Sequence, residues 1–149
     1  MIMPKIVLPI SLSDLVDAYD MSPSGPYYDD VEQALNIKTG EIVFVSNSDY
    51  TGHEIPPAEI EANPDYIIIP RPNSRNGYQD MEAYIETVEN DTLRQLLDVA
   101  IDGKGAFRRF KNVLRNYPDA QKAWFAFKKE QQSKIIQKWL DENNLTTAS

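Results

Sequence analysis

The 149-residue chain contains no cysteine. Disulfides, a thiolate nucleophile and thiolate metal ligation are therefore excluded, and the composition fits a reducing compartment. Histidine is almost as scarce: His53, in TGHEIPP, is the only one. A Ser-His-Asp triad would have to use it, yet no GxSxG nucleophile elbow occurs anywhere in the chain. One His without Cys is also a poor basis for a zinc site, which draws most of its ligands from those two residue types. Long apolar runs are missing as well. No stretch approaches the ~20 residues of a membrane span, and the opening MIMPKIVLPISLSD is interrupted by Pro4 and Pro9. These gaps lead us to expect a cytoplasmic protein with no cofactor and no membrane association.

What is present begins with charge. The net charge is −8, which opposes general affinity for polyanions, because such binding draws on neutralised phosphates. The distribution is uneven. Residues 1–93 hold 4 Lys and Arg against 17 Asp and Glu, whereas residues 94–149 hold 11 against 6. From Lys104 to Lys138 there are 10 basic residues and only two acids, Asp119 and Glu130. Surfaces of opposite sign in one chain predict attraction between them or to different partners.

The pattern of apolar residues changes once along the chain. A chain of this length fits a single domain, 1–149, able to bury a core without metal or disulfide. Ser11 or Ser13 can cap a short helix over SLSDLVDAYD, within an N-terminal segment 1–30 that we expect to be peripheral. Partial alternation in VEQALNI and EIVFVS, with Gly40 between them, predicts a hairpin with strands at about 31–37 and 41–46; YIIIP at 66–70 reads as a third strand. The proline-punctuated segment between them reads as a long loop with one helical turn after Pro57. From residue 75 the spacing becomes helical: Tyr78, Met81, Ile85 and Val88 share one face, Leu93, Leu96, Leu97, Ala100 and Ile101 another. Phe107, Phe110, Leu114 and Tyr117 repeat the spacing, and Trp124, Phe127, Ile135 and Trp139 line a fourth helix to about 143. The expected class is α+β: a small antiparallel sheet of about three strands over 31–70, then a bundle of about four helices over 75–143, with 144–149 as a frayed tail. Phe107, Phe110, Leu114, Trp124 and Trp139 are expected to be buried.

The most conspicuous string is GKGAFRRFK at 103–111. It lacks the spacing of a phosphate loop and instead separates two helices, so Gly103 or Gly105 is expected to have positive φ. A DNA-binding helix-turn-helix fits poorly: with the turn on Gly105, Lys104 and Lys111 occupy positions that want apolar packing, and with it on Gly103, Asp98 and Asp102 do. Aromatics interleaved with bases also resemble single-strand binding chemistry, but helical spacing turns the rings away from Arg108 and Arg109. The carboxylates Asp14, Asp17 and Asp20, or Asp29, Asp30 and Glu32, could hold Mg²⁺ weakly, yet neither set has the spacing of a calcium loop, and a solvated surface is the simpler reading. Glu82, Glu86 and Glu89 read as an exposed stripe.

The segments TGEIVFVS (39–46), YIIIPRPNSRNGYQDMEAYIETV (66–88) and GKGAFRRFKNVLRNYPDAQKAWFAFKKE (103–130) resemble a bacterial family catalogued only as uncharacterised. The resemblance covers roughly residues 30–142, with GAFRRF its most specific part. It implies a compact cytosolic bacterial protein and carries no catalytic residue, cofactor or activity. With no recognisable nucleophile, metal or phosphate motif, the reading inclines away from an enzyme. It favours a non-catalytic binding or adaptor protein acting through protein contacts. The alternative is weak nucleic-acid binding through the basic helical face 104–138, using Lys104, Arg108, Arg109, Arg115, Lys122, Lys128 and Lys129.

Overall fold

The computed structural model describes residues 4–22, 31–48 and 52–148. The chain divides into two compact units, one formed by residues 1–71 with 132–149 and the other by residues 72–131. The α+β class and the three-stranded antiparallel sheet are as the sequence predicts.

In the first unit, β2 (Glu32–Asn36) is the centre of a sheet ordered β3-β2-β4, with β3 at Ile42–Val45 and β4 at Tyr66–Ile69. Both neighbours run antiparallel to it, pairing Ala34 with Val43 on one side and with Ile68 on the other. The alternation in β2 is only partial because both of its faces are covered. Leu35 packs with Leu15, Tyr19, Ile136 and Leu140, whereas Ala34 packs with Val45 and Ile60. Burying Gln33 would be costly without partners. Its amide donates to the Ala18 carbonyl at 2.8 Å and to Ser22 Oγ at 3.0 Å. The hairpin turn rests on two residues. Asn36 Oδ1 accepts from the backbone N–H groups of Lys38 and Thr39, and Gly40 has a φ of +78°, where an added Cβ would lie 2.7 Å from the Pro9 carbonyl oxygen. Only glycine meets both conditions.

Helix α1 (Leu12–Asp20) starts where Ser11 Oγ accepts from Asp14 N–H, and it buries Leu15, Val16 and Tyr19. Helix α2 (Pro57–Ala62) opens with proline at its first position, a place where the missing N–H has no cost. Two expectations for the chain ends require correction. Residues 6–8 form β1 (Ile6–Leu8), which pairs in parallel with β5 (Leu145–Thr147), so residues 6–8 are not peripheral and residues 145–147 are not frayed. Leu8 and Leu145 join the same core cluster as α1 and the end of the long helix α6 (Pro118–Glu142). Asn144, at a φ of +57°, turns the chain out of α6, and its amide donates to the Pro4 carbonyl. Lys5 ties β1 to α6 through a 2.6 Å ion pair to Asp141, whose carboxyl that hydrogen bond holds below the usual carboxylate value. Trp139, expected to be buried, is half-buried at the edge of this cluster.

The second unit is helical: α3 (Ser74–Thr87), α4 (Asp91–Ala100), α5 (Ala106–Leu114) and the first part of α6. Asn73 and Asn90 cap α3 and α4 by accepting from Asn76 and Leu93 N–H, the ordinary use of Asn at a helix start. Met81, Tyr84, Ile85, Leu93, Leu97, Phe110 and Leu114 with Trp124 form the core. Phe110 meets Trp124 edge-on at a centroid distance of 4.8 Å, and Tyr84 lies 6.3 Å from Phe110 in a T-shaped pair. Burial raises the Tyr84 phenol above its ordinary pKa, and the hydroxyl donates to the Ala120 carbonyl at 2.7 Å. No helix among the described residues is long and apolar enough to cross a membrane.

Candidate interaction surface

The turn GKG between α4 and α5 has two left-handed glycines, Gly103 at φ +82° and Gly105 at φ +79°. Gly105 is the N-cap of α5 and offers no side chain to its first turn. The α4 carbonyls and those of the turn need donors, since a helix end leaves its last carbonyls unpaired. Arg109 supplies them. Its Nε donates to the Ala100 carbonyl at 2.8 Å and its Nη2 to the Asp102 carbonyl at 2.6 Å, while Nη1 reaches the Lys104 carbonyl. This residue, read from sequence as part of a solvated basic face, therefore binds the turn. An alanine at either glycine should weaken the fold, to different degrees. At Gly103 an added Cβ meets nothing within 4 Å, so the cost is that of the left-handed φ alone, about 1 kcal/mol. At Gly105 the Cβ would approach Arg109 Nη1 to 2.9 Å, and disturbing that fork should bring the loss to about 2 kcal/mol or more. Chemical denaturation of the two variants checks the order, and equal losses would contradict this role for Arg109.

The other predicted cations divide between two helices and the turn. Lys104 is exposed in the turn, Arg108 and Arg115 are exposed on and just beyond α5, and Lys122 and Lys129 are exposed on α6. Lys128 is half-buried, and its charge acts on Asp80, whose carboxyl is raised by burial and partly lowered again by that lysine. Phe107 departs from expectation: 42% of it is exposed, while Phe110 is 1% exposed. The buried line of α5 runs Ala106–Phe110–Leu114, so the small Ala106 takes the core position and Phe107 lies at its edge. There the ring covers Gly77, where an added Cβ would come within 3.0 Å of its Cε1 atom.

Two clefts flank α5. One, of about 560 Å³, is lined by Arg75, Tyr78, Glu82, Lys104, Gly105 and Phe107. The other, of about 590 Å³, lies between α4 and α5 and is lined by Thr92, Gln95, Leu96, Val99, Arg109 and Val113. Two of its aliphatic lining residues are open to solvent: Leu96 is 45% and Val99 74% exposed. Sequence reasoning missed this groove by assigning Leu96 to the core stripe. The available signal was the excess of aliphatic residues on α4, where Leu93, Leu97 and Ala100 already supply the buried face.

The remaining candidates do not assemble. His53 is exposed, as are Asp14, Asp17, Asp20 and Glu32, and Asp20 accepts from the Gln132 amide at 2.7 Å. Asp29 and Asp30 lie outside the described residues. Glu82, Glu86 and Glu89 are exposed on and after α3. Among the described residues no group of three or more His, Asp or Glu side chains could hold a metal ion.

A profile described as "Uncharacterised protein family (UPF0158)" matches residues 7–149. The match reaches back to β1 and α1, beyond the 30–142 span of the resemblance noted in the sequence. A UPF0158 protein of Pseudomonas aeruginosa strain PAO1 is 21% identical over 124 residues, covering 80% of this chain and 77% of the relative. No solved structure matches.

Proposed function

The chain belongs to the uncharacterised protein family UPF0158, whose description assigns no activity, and we propose that it is a non-catalytic binding domain acting through protein contacts. The observation that carries this reading is the open groove between α4 and α5, with Leu96 and Val99 exposed along it. Isolated exposed aliphatics need no explanation, but a concave apolar strip rimmed by polar residues is the form a protein-docking site takes. A cytoplasmic site of action is part of the proposal, in keeping with a chain that has no cysteine.

A second reading has its own support. Phe107 lines one cleft with Arg75 and Lys104, so a ring and two cations are exposed together, as stacking of a single-stranded base requires. Glu82 in the same cleft and the net charge of −8 oppose it. Any such binding should be no tighter than about 10⁻⁵ M at physiological salt and should weaken steeply as salt rises.

A photo-crosslinking residue placed at Val99 in the native host separates the two. Discrete protein adducts that survive nuclease treatment, and that are missing when the crosslinker is placed at the exposed Ala123 of α6, are the expected result. Adducts removed by nuclease would favour the second reading, and no adduct at Val99 would overturn the first.

A further inference from the structure

We infer that the groove between α4 and α5 receives an amphipathic helix of another protein, one whose apolar stripe is flanked on its α5-facing side by aspartate or glutamate. The inference rests on the protein-contact reading above and adds the chemical class of the partner. Three features of the groove support it.

The first is its shape. Its walls are two helices, and the residues it takes from α4 run from Thr92 to Ala100, a span of about 12 Å at 1.5 Å per residue. A visiting helix repeats its apolar positions at i, i+3 or i+4, and i+7 over about two turns, a similar length, and this is the spacing by which helices dock in apolar grooves. The second is the lining, where Leu96, Val99 and Val113 supply aliphatic surface between the polar side chains of Thr92, Gln95, Arg109 and Asn112.

The third is charge. Helix α5 has the sequence AFRRFKNVL and no acid. Arg109 lines the groove with Asn112, and the exposed Arg108 and Arg115, four residues before and three after Asn112, both fall next to it on the outer flank of that wall at about 100° per residue. Among the described residues no carboxylate forms an ion pair with Arg108, Arg109 or Arg115. The Arg109 hydrogen bonds all go to neutral carbonyls, so its positive charge remains while its position is fixed. The α4 rim differs. Gln95 borders the groove there, with the exposed Asp91 and Asp98 beyond it and the exposed Arg94 next to both, so that flank carries a net charge of −1. An occupant acidic along both flanks would meet repulsion on that side, so complementarity selects acid on one flank only.

Methyl NMR of the full chain tests this with two synthetic 18-residue helical peptides sharing one leucine stripe. One carries glutamates along one flank and glutamines along the other; the second has lysines in place of the glutamates. The glutamate peptide should shift the methyl resonances of Leu96, Val99 and Val113, and should bind at least about tenfold more tightly than the lysine peptide at low salt. Val99→Asp, at a position too exposed to disturb folding, should weaken it by about tenfold or more. Arg108→Glu/Arg115→Glu should erase the preference between the peptides. Equal affinity for the two peptides, shifts confined to other methyls, or no binding would each overturn the inference. Protein adducts at Val99 without peptide discrimination would leave the protein-contact reading standing and remove only the acidic helix. No adducts at Val99 in cells would overturn the protein-contact reading and, with it, the inference, whichever peptide binds more tightly.

Discussion

Phe110→Ala should destabilise the helical unit of residues 72–131 by about 3–5 kcal/mol, the range for deleting a buried aromatic from a packed core. The side chain is 1% exposed and meets Trp124 edge-on at 4.8 Å and Tyr84 at 6.3 Å. Its removal takes away its own transfer free energy and leaves a cavity lined by two aromatics held by other contacts. Tyr84, for instance, remains anchored through its hydroxyl to the Ala120 carbonyl, which restricts collapse into the space. Phe107→Ala, three residues earlier, is the control. That ring is 42% exposed and covers Gly77, so its loss should cost about 1 kcal/mol, within the usual range for a partly exposed position. Denaturant titrations followed by tryptophan fluorescence measure both, since Trp124 lies against Phe110. Equal losses, or a larger loss at Phe107, would mean that the buried line of α5 does not run through Ala106, Phe110 and Leu114.

This pair of residues shows how far the sequence could be read. Helical spacing finds a stripe, and at about 100° per residue a stripe of Phe107, Phe110 and Leu114 is as regular as one of Ala106, Phe110 and Leu114. Size favours the phenylalanine as the core residue, but the close passage of α3 at Gly77 leaves room for a ring over the backbone and gives the core position to alanine. Gly40 was legible because its requirement is local, a positive φ in a short hairpin. Arg109 was not, because its partners are carbonyls, and a sequence displays no carbonyl that lacks a donor. The turn carries only an indirect signal: two glycines after a helix leave unpaired carbonyls that a nearby donor side chain can satisfy. The groove is a different kind of omission. Which apolar face of α4 lacks a neighbour depends on how α4 and α5 pack, and no spacing rule contains that.

The chain ends carry the largest correction and the second large expected effect. NNLTTAS holds a single large apolar residue and reads as a frayed tail, because the strand that pairs with it, Ile6–Leu8, lies at the opposite end of the sequence. Parallel pairing of three-residue strands leaves no local signal; only contact across the whole chain reveals it. A frayed Leu145 would tolerate substitution within about 0.5 kcal/mol, as surface positions do. The observed Leu145 is 2% exposed and packs in one cluster with Leu8, Leu15, Ile136 and Leu140. Leu145→Ala should therefore cost about 2–5 kcal/mol. Thr146→Ala, at a half-buried position of the same strand, should cost about 1 kcal/mol or less. Amide exchange adds a readout specific to the ends. The Ile6 N–H donates to the Asn144 carbonyl at 3.0 Å and the Ala148 N–H to the Ile10 carbonyl at 3.4 Å, so both should exchange slowly in the parent chain and much faster in Leu145→Ala. Unprotected amides at both positions, together with an unchanged unfolding midpoint for Leu145→Ala, would return the tail to solvent and remove β1 and β5 from the fold.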